Sequence, residues 1–212
     1  MIQVCDPPRT RQVRRLSAEE FCQLARREAG CVYRPRSEVL RMLAVGEVWG
    51  VGSARSTPGA GCILLPMDAD VAAAAALRRF LGWGRTAGGY FITPAAGPDS
   101  HTTETLAPLL NAIAARQEFL ARHRARWAIV ECTAEEMLPL YLQQGFALRA
   151  IRPLDSLAPC FWLQAGCLGQ DVPPVWVPLT DRVHLAILLA KGYAALESRE
   201  SPQGTVLALY PV

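Results

Sequence analysis

The chain has 212 residues, 51% hydrophobic and 19% charged, with a formal net charge of +3. That balance excludes a disordered polypeptide, which needs low hydrophobicity and high charge, and the charge is too mild to indicate a nucleic-acid partner. No apolar run reaches the roughly 20 residues of a membrane span; the alanine run Ala72–Ala76 is closed by Arg78 and Arg79.

The first residues, MIQVCDPPRTRQVRR, lack the apolar stretch of a signal peptide. A cytoplasmic protein without a membrane partner is the expectation. Of the 22 basic residues only Lys191 is a lysine, and the cluster Arg9, Arg11, Arg14, Arg15 reads as a solvated surface. The seven cysteines form no CxxC pair, so no zinc site is expected and the thiols should be reduced and mostly buried.

In chain order, Ile2–Cys5 reads as an edge strand stopped by Asp6-Pro7-Pro8. Ser17 and Glu20 have the spacing of a capping box, which predicts a helix through Phe21 and Leu24. Ser37 and Glu38 open a second helix through Leu43. Gly46–Ser53 and Cys62–Leu65 make a hairpin around Ser56–Gly59. Asp68–Leu81 has helical composition, and Tyr90–Thr93 is a strong β run. A polar loop, Pro94–Thr103, leads into a long helix from Thr105 to about Arg122, with Pro108 tolerated in its first turn. Trp127–Cys132 reads as a strand buried on both faces. Thr133 with Glu136 predicts a helix start, and Gly145 the stop. Ala147–Arg152 and Cys160–Gln164 should close as an antiparallel pair.

Gly166–Pro174 reads as a linker to an extension. Within that extension come a strand at Val175–Val177, a helix at Asp181–Ala190, and strands near Ala194–Glu200 and Thr205–Tyr210. It echoes what precedes it. Tyr141–Pro153 lines up with Leu188–Glu200, and the glycines Gly145 and Gly192 stand 47 residues apart. Residues 1–165 therefore read as one domain, 166–174 as a linker, and 175–212 as a partial repeat of the preceding unit.

Leu140-Tyr141-Leu142-Gln143-Gln144-Gly145-Phe146 carries the most specific signal. It resembles the LYxxxGF signature of the GNAT superfamily of N-acetyltransferases. The order of elements over roughly residues 1–165 is similar to that fold, a mixed central sheet flanked by helices. The resemblance implies acetyl transfer from acetyl-CoA, as cosubstrate and without a metal, to a small primary amine. It places Tyr141 as general acid to the leaving thiolate, a role a phenol can fill at neutral pH. The general base is Glu131 at the end of the central strand or, alternatively, Glu47 on the hairpin.

In this family a loop before the long helix cradles the CoA pyrophosphate on glycine amides and the helix N-terminus. Here that stretch is Ala96 to Leu106. Pro98 fits the family proline, and His101 stands where an Arg or Gln is expected. Thr102, Glu104 and Leu106 stand where small residues usually occur. The implied cofactor contacts are Thr93, Ala95 and Ala96 for the pantetheine arm, and His101, Thr102, Thr103 and Thr105 for the phosphates. The same departures support an alternative, a catalytically inactive GNAT-like binding or assembly module that has lost CoA affinity. A homodimer through the extension's strands is a further expectation.

Overall fold

The computed structural model describes residues 12–27, 36–52, 58–81, 89–93, 96–98, 102, 104–105, 107–112, 128–132, 135–153, 159–165, 167 and 169–212. Among the described residues ten strands form one sheet: β1 (Gln12–Arg15), β2 (Glu47–Gly52), β3 (Ala60–Pro66), β4 (Tyr90–Ile92), β5 (Ala128–Cys132), β6 (Phe146–Pro153), β7 (Pro159–Ala165), β8 (Val175–Pro178), β9 (Tyr193–Ser201) and β10 (Gly204–Pro211). Their order is β1-β2-β3-β4-β5-β7-β6-β9-β10-β8. The named helices are α1 (Ala18–Arg27), α2 (Arg36–Val45), α3 (Ala72–Leu81), α4 (Leu138–Gln143) and α5 (Arg182–Ala190). A further helical stretch has 104–105 and 107–112 as its described residues. The architecture is the expected mixed α/β sheet with a strand-helix-strand-strand extension. No helix among the described residues is long and apolar enough to cross a membrane.

The capping box forms as read. The Glu20 amide donates to Ser17 Oγ at 3.2 Å, and Glu20 Oε2 accepts from the Ser17 amide at 2.8 Å. Arg14 also reaches Glu20, and these bonds hold its carboxyl down to about 2. The strand expected at Ile2–Cys5 lies outside the described residues. The edge strand that the structure does describe is β1, in the stretch read as a charged surface. Arginines suit an exposed edge, where charge discourages further strand pairing, and Val13 is its one apolar residue. The helix expected from Thr133 differs as well. A 3₁₀ turn, Glu135–Met137, comes first, and the α-helix proper starts at Leu138 with Met137 as an N-cap lacking a side-chain bond. Pro139 has no amide hydrogen to return to residue 135, so no α-turn can close on that carbonyl.

Two apolar clusters lie on the two faces of the sheet. One joins Leu16, Leu24, Met42, Ile63, Leu65, Ala74, Phe91 and Trp162 beneath α1, α2 and α3. The other joins Leu64, Ile92, Leu109, Leu110, Tyr141, Leu163, Leu185, Leu189 and Leu207 beneath the 104–112 stretch, α4 and α5. Between β3 and α3 the backbone turns through residues 67–71, where buried Arg78 donates to the Met67 and Ala69 carbonyls. Arg78→Met should cost about 2 kcal/mol, because the Met67 carbonyl loses a charged donor in a dry site. A lower urea midpoint with unchanged m would record it; an unchanged midpoint would remove Arg78 from the core's support.

The extension does not stand apart from this sheet, because β9 pairs antiparallel with β6 at Leu148↔Ala195. The two halves of the sheet mirror each other. β5-β7-β6 has the order first-third-second strand, and β9-β10-β8 has second-third-first. An antiparallel β6/β9 contact between two such units defines a local twofold axis. Gly145 and Gly192 close the two helices with φ of 81° and 90°, the left-handed stop that favours glycine. Within the stretch read as a linker, Gly169 and Gln170 lie against β9 and β10: a Cβ at Gly169 would meet Leu196 and Tyr210, and the Gln170 amide donates to the Pro211 carbonyl at 3.0 Å. The outer edge of β8 is guarded. Leu179 donates to Thr205, so residues 175, 177 and 179 face β10. Residues 176 and 178 then face outward, and Pro178 has no N–H to offer.

Candidate active site

β4 and β5 are a parallel pair at the centre of the sheet, in register over Tyr90↔Ala128, Phe91↔Ile129 and Ile92↔Val130. Beyond that point each chain follows its outer neighbour. The Thr93 amide donates to the Ile63 carbonyl at 3.0 Å, and Thr93 Oγ1 accepts from the Ile63 amide at 2.9 Å. Ala96 and Gly61 then exchange both backbone bonds, at 2.7 and 2.8 Å. On the other side Glu131 and Cys132 pair with Trp162 and Phe161 of β7. The β4/β5 pairing thus ends at Ile92↔Val130 in a fork, or wedge, of the hydrogen-bond pattern at the carboxyl ends of two parallel strands, where α/β sheets generally take ligands. From Ile92 to Ala96 is four steps along β4, against three from Leu64 to Gly61 on β3. One more residue therefore lies on that chain than on β3 between the two pairings.

The backbone bends at Gly97. Its φ is +123°, and a Cβ there would lie 2.5 Å from the Gly59 carbonyl oxygen. No residue but glycine fits both constraints.

α4 places Tyr141 in the cluster on the 104–112 side, with Cys62 of β3 and Cys132 of β5 in the same cluster. Its ring meets Phe146 edge-on, centroids 6.0 Å apart. Tyr141 is 4% exposed. Burial pushes its phenol well above the usual range, and the thiols of Cys132 and Cys62 add to the shift. Burial likewise pushes the Cys62 thiol up to about 12. Both groups therefore stay protonated at neutral pH. The phenol is a hydrogen-bond donor held in a low-dielectric setting, where such a bond is stronger than in water.

The other sequence-derived candidates fall as follows. Thr93 is buried and tied to β3 by its amide and hydroxyl, and Ala96 is tied to β3 by its amide and carbonyl. The Thr102 carbonyl accepts from the Thr105 amide at 3.1 Å, a turn at the start of the helical stretch, and Thr105 is 0% exposed. Glu104 beside it is exposed. Ala95, His101 and Thr103 lie outside the described residues. Glu131 has its backbone in β5 opposite Trp162. The alternative base, Glu47, is engaged with Arg15 at 2.9 Å and with Trp49 Nε1 at 3.3 Å, at the β1–β2 side of the sheet. The two thiols near Tyr141 and the Thr93 tie escape sequence reasoning, because they depend on the register of β3 against β4 and β5. Among the described residues no group of three or more His, Cys, Asp or Glu side chains could hold a metal ion.

No protein-family model and no curated protein sequence matches the chain. Solved structures do. The ribosomal-protein alanine N-acetyltransferase from Escherichia coli is 12% identical, over 77% of this chain and 99% of that one, with a TM-score of 0.50. A chain of the NatC complex bound to a Gag peptide and CoA is 12% identical, over 74% and 99%, also with a TM-score of 0.50. An agmatine N-acetyltransferase variant in its apo form gives 12%, 73%, 98% and 0.50. At this identity the likeness shows the fold, which is that of the GNAT acetyltransferases.

Proposed function

With that fold as the premise, we propose that the chain is an acetyl-CoA-dependent N-acetyltransferase acting on a small primary amine. The observation that carries this reading is the fork at the end of the β4/β5 pairing together with the Tyr141 phenol, which feels the thiols of Cys132 on β5 and Cys62 on β3. A pantetheine arm laid in the wedge meets the stretch between Thr93 and Ala96, where the Thr93 amide and both Ala96 backbone groups are spent on β3. Of the two residues between them, Pro94 has no amide hydrogen to offer the arm. At the pyrophosphate end, His101, Thr102, Thr103 and the start of the helical stretch take the place of a glycine cradle.

In the reaction the amine nitrogen attacks the thioester carbonyl, the C–S bond breaks, and CoA leaves as thiolate. Glu131 takes the amine proton through water. Tyr141 donates a hydrogen bond to the sulfur. Its phenol holds its proton more tightly than a thiol of ordinary pKa near 8.5 does. It therefore stabilises the charge that develops on sulfur, and the thiolate collects its proton afterwards from solvent.

The burial of Tyr141 and of Thr105 favours a second reading, an inactive GNAT-like binding or assembly module. A thiol-release assay with acetyl-CoA and a panel of polyamines, amino acids and aromatic amines separates the two. Amine-dependent thiol release supports the enzyme; release no faster than buffer hydrolysis with every amine supports the module.

A further inference from the structure

We infer that the C-terminal unit serves the first unit as an internal partner, holding the helix that carries Tyr141, with Arg182 as the positioning residue. The inference rests on the functional reading of Tyr141 above. The local twofold between β6 and β9 brings the two helices to the same face of the sheet, and each packs across the strands of both units. α4 lies over β6 and β9, and α5 lies over β9 and β6. α4 is a short helix without a side-chain cap, and six residues are too few to hold a helical conformation alone. What orders it is the surface beneath it, and part of that surface is β9.

The entry to α4 is pinned from the same side. Arg182, the first residue of α5, forms an ion pair through Nη2 with Glu135 of the 3₁₀ turn. Its guanidinium also stacks on Phe161 of β7 at 4.8 Å from the ring centroid. Glu135 and Arg182 are 47 residues apart, the same spacing as Gly145 and Gly192, so they are equivalent positions of the two units joined across the axis. Phe161 is the cross-strand neighbour of Cys132, which belongs to the same cluster as Tyr141. The contact thus ties three parts together: the end of β5 where the wedge opens, the turn that starts α4, and the extension. Asp181 caps α5 by accepting from the His184 amide at 3.2 Å, which fixes the helix end that presents Arg182.

The test is hydrogen exchange together with steady-state kinetics on the full chain. Arg182→Ala should speed exchange of amides 135–144 roughly tenfold, the effect of losing a partly buried ion pair and a cation–π contact. Amides of β3 should keep their wild-type rates. Arg182→Lys, which keeps the charge, should restore part of the protection, and Glu135→Gln should reproduce the loss. In the transfer assay kcat should fall severalfold with KM for acetyl-CoA nearly unchanged. Unchanged exchange over 135–144, or an equal rise in β3, overturns the positioning role. Exchange is read without substrate, so it decides this point even if the wild-type chain transfers no acetyl group, a result that would count against the functional reading alone.

Discussion

Tyr141→Phe is expected to lower kcat about a hundredfold while leaving the fold and acetyl-CoA affinity near wild type, the range lost when a donor to developing negative charge is removed. The ring is buried against Phe146 and the Leu64–Ile92 cluster, and phenylalanine keeps all of that packing. Only the hydroxyl goes. Burial and the two neighbouring thiols hold the phenol in its protonated form, so the rate should not titrate with this group across neutral pH. A variant with wild-type turnover would remove Tyr141 from the mechanism. A variant with a much lower melting temperature would instead make the hydroxyl structural.

Gly97→Ala should have the largest effect on stability. The new Cβ would press on the Gly59 carbonyl oxygen at 2.5 Å, and the φ of +123° is one that alanine resists. Strain of this kind costs about 1–3 kcal/mol, and the clash adds to it. A total of about 3 kcal/mol lowers Tm by roughly 6–12 °C in a chain of this size. The loss should also reach the site, because relief of the clash moves Ala96 off Gly61 and narrows or splays the wedge. Weaker acetyl-CoA binding in the folded variant would confirm the link. A Tm within about 1 °C of wild type would show that the bend tolerates a side chain.

Much of the fold is legible in local patterns. Ser17 and Glu20 announce α1 through their own side-chain bonds, and Gly145 and Gly192 announce two helix ends. The 47-residue spacing of those two glycines is visible in the sequence alone. Elements whose identity depends on neighbours are harder to read. β1 has one apolar residue and four positions in all; it is a strand because β2 supplies its bonds. Near the start of α4, Pro139 lacks an amide hydrogen, which a capping pattern at Thr133 does not register. At the site, Tyr141 stands out by motif. The wedge does not, because strand divergence is a matter of which neighbour Thr93 and Glu131 follow. The tie of Thr93 to Ile63, the two thiols and the Arg182–Glu135 pair are likewise long-range contacts with no local signature.

The central claim is that acetyl-CoA enters between β4 and β5 despite the polar and bulky residues that replace a glycine cradle. Isothermal titration of the full chain with acetyl-CoA measures this directly. The account expects one acetyl-CoA per chain, with binding kept in Tyr141→Phe and weakened in Gly97→Ala. Absence of binding at millimolar acetyl-CoA, in a chain that melts cooperatively, would contradict it.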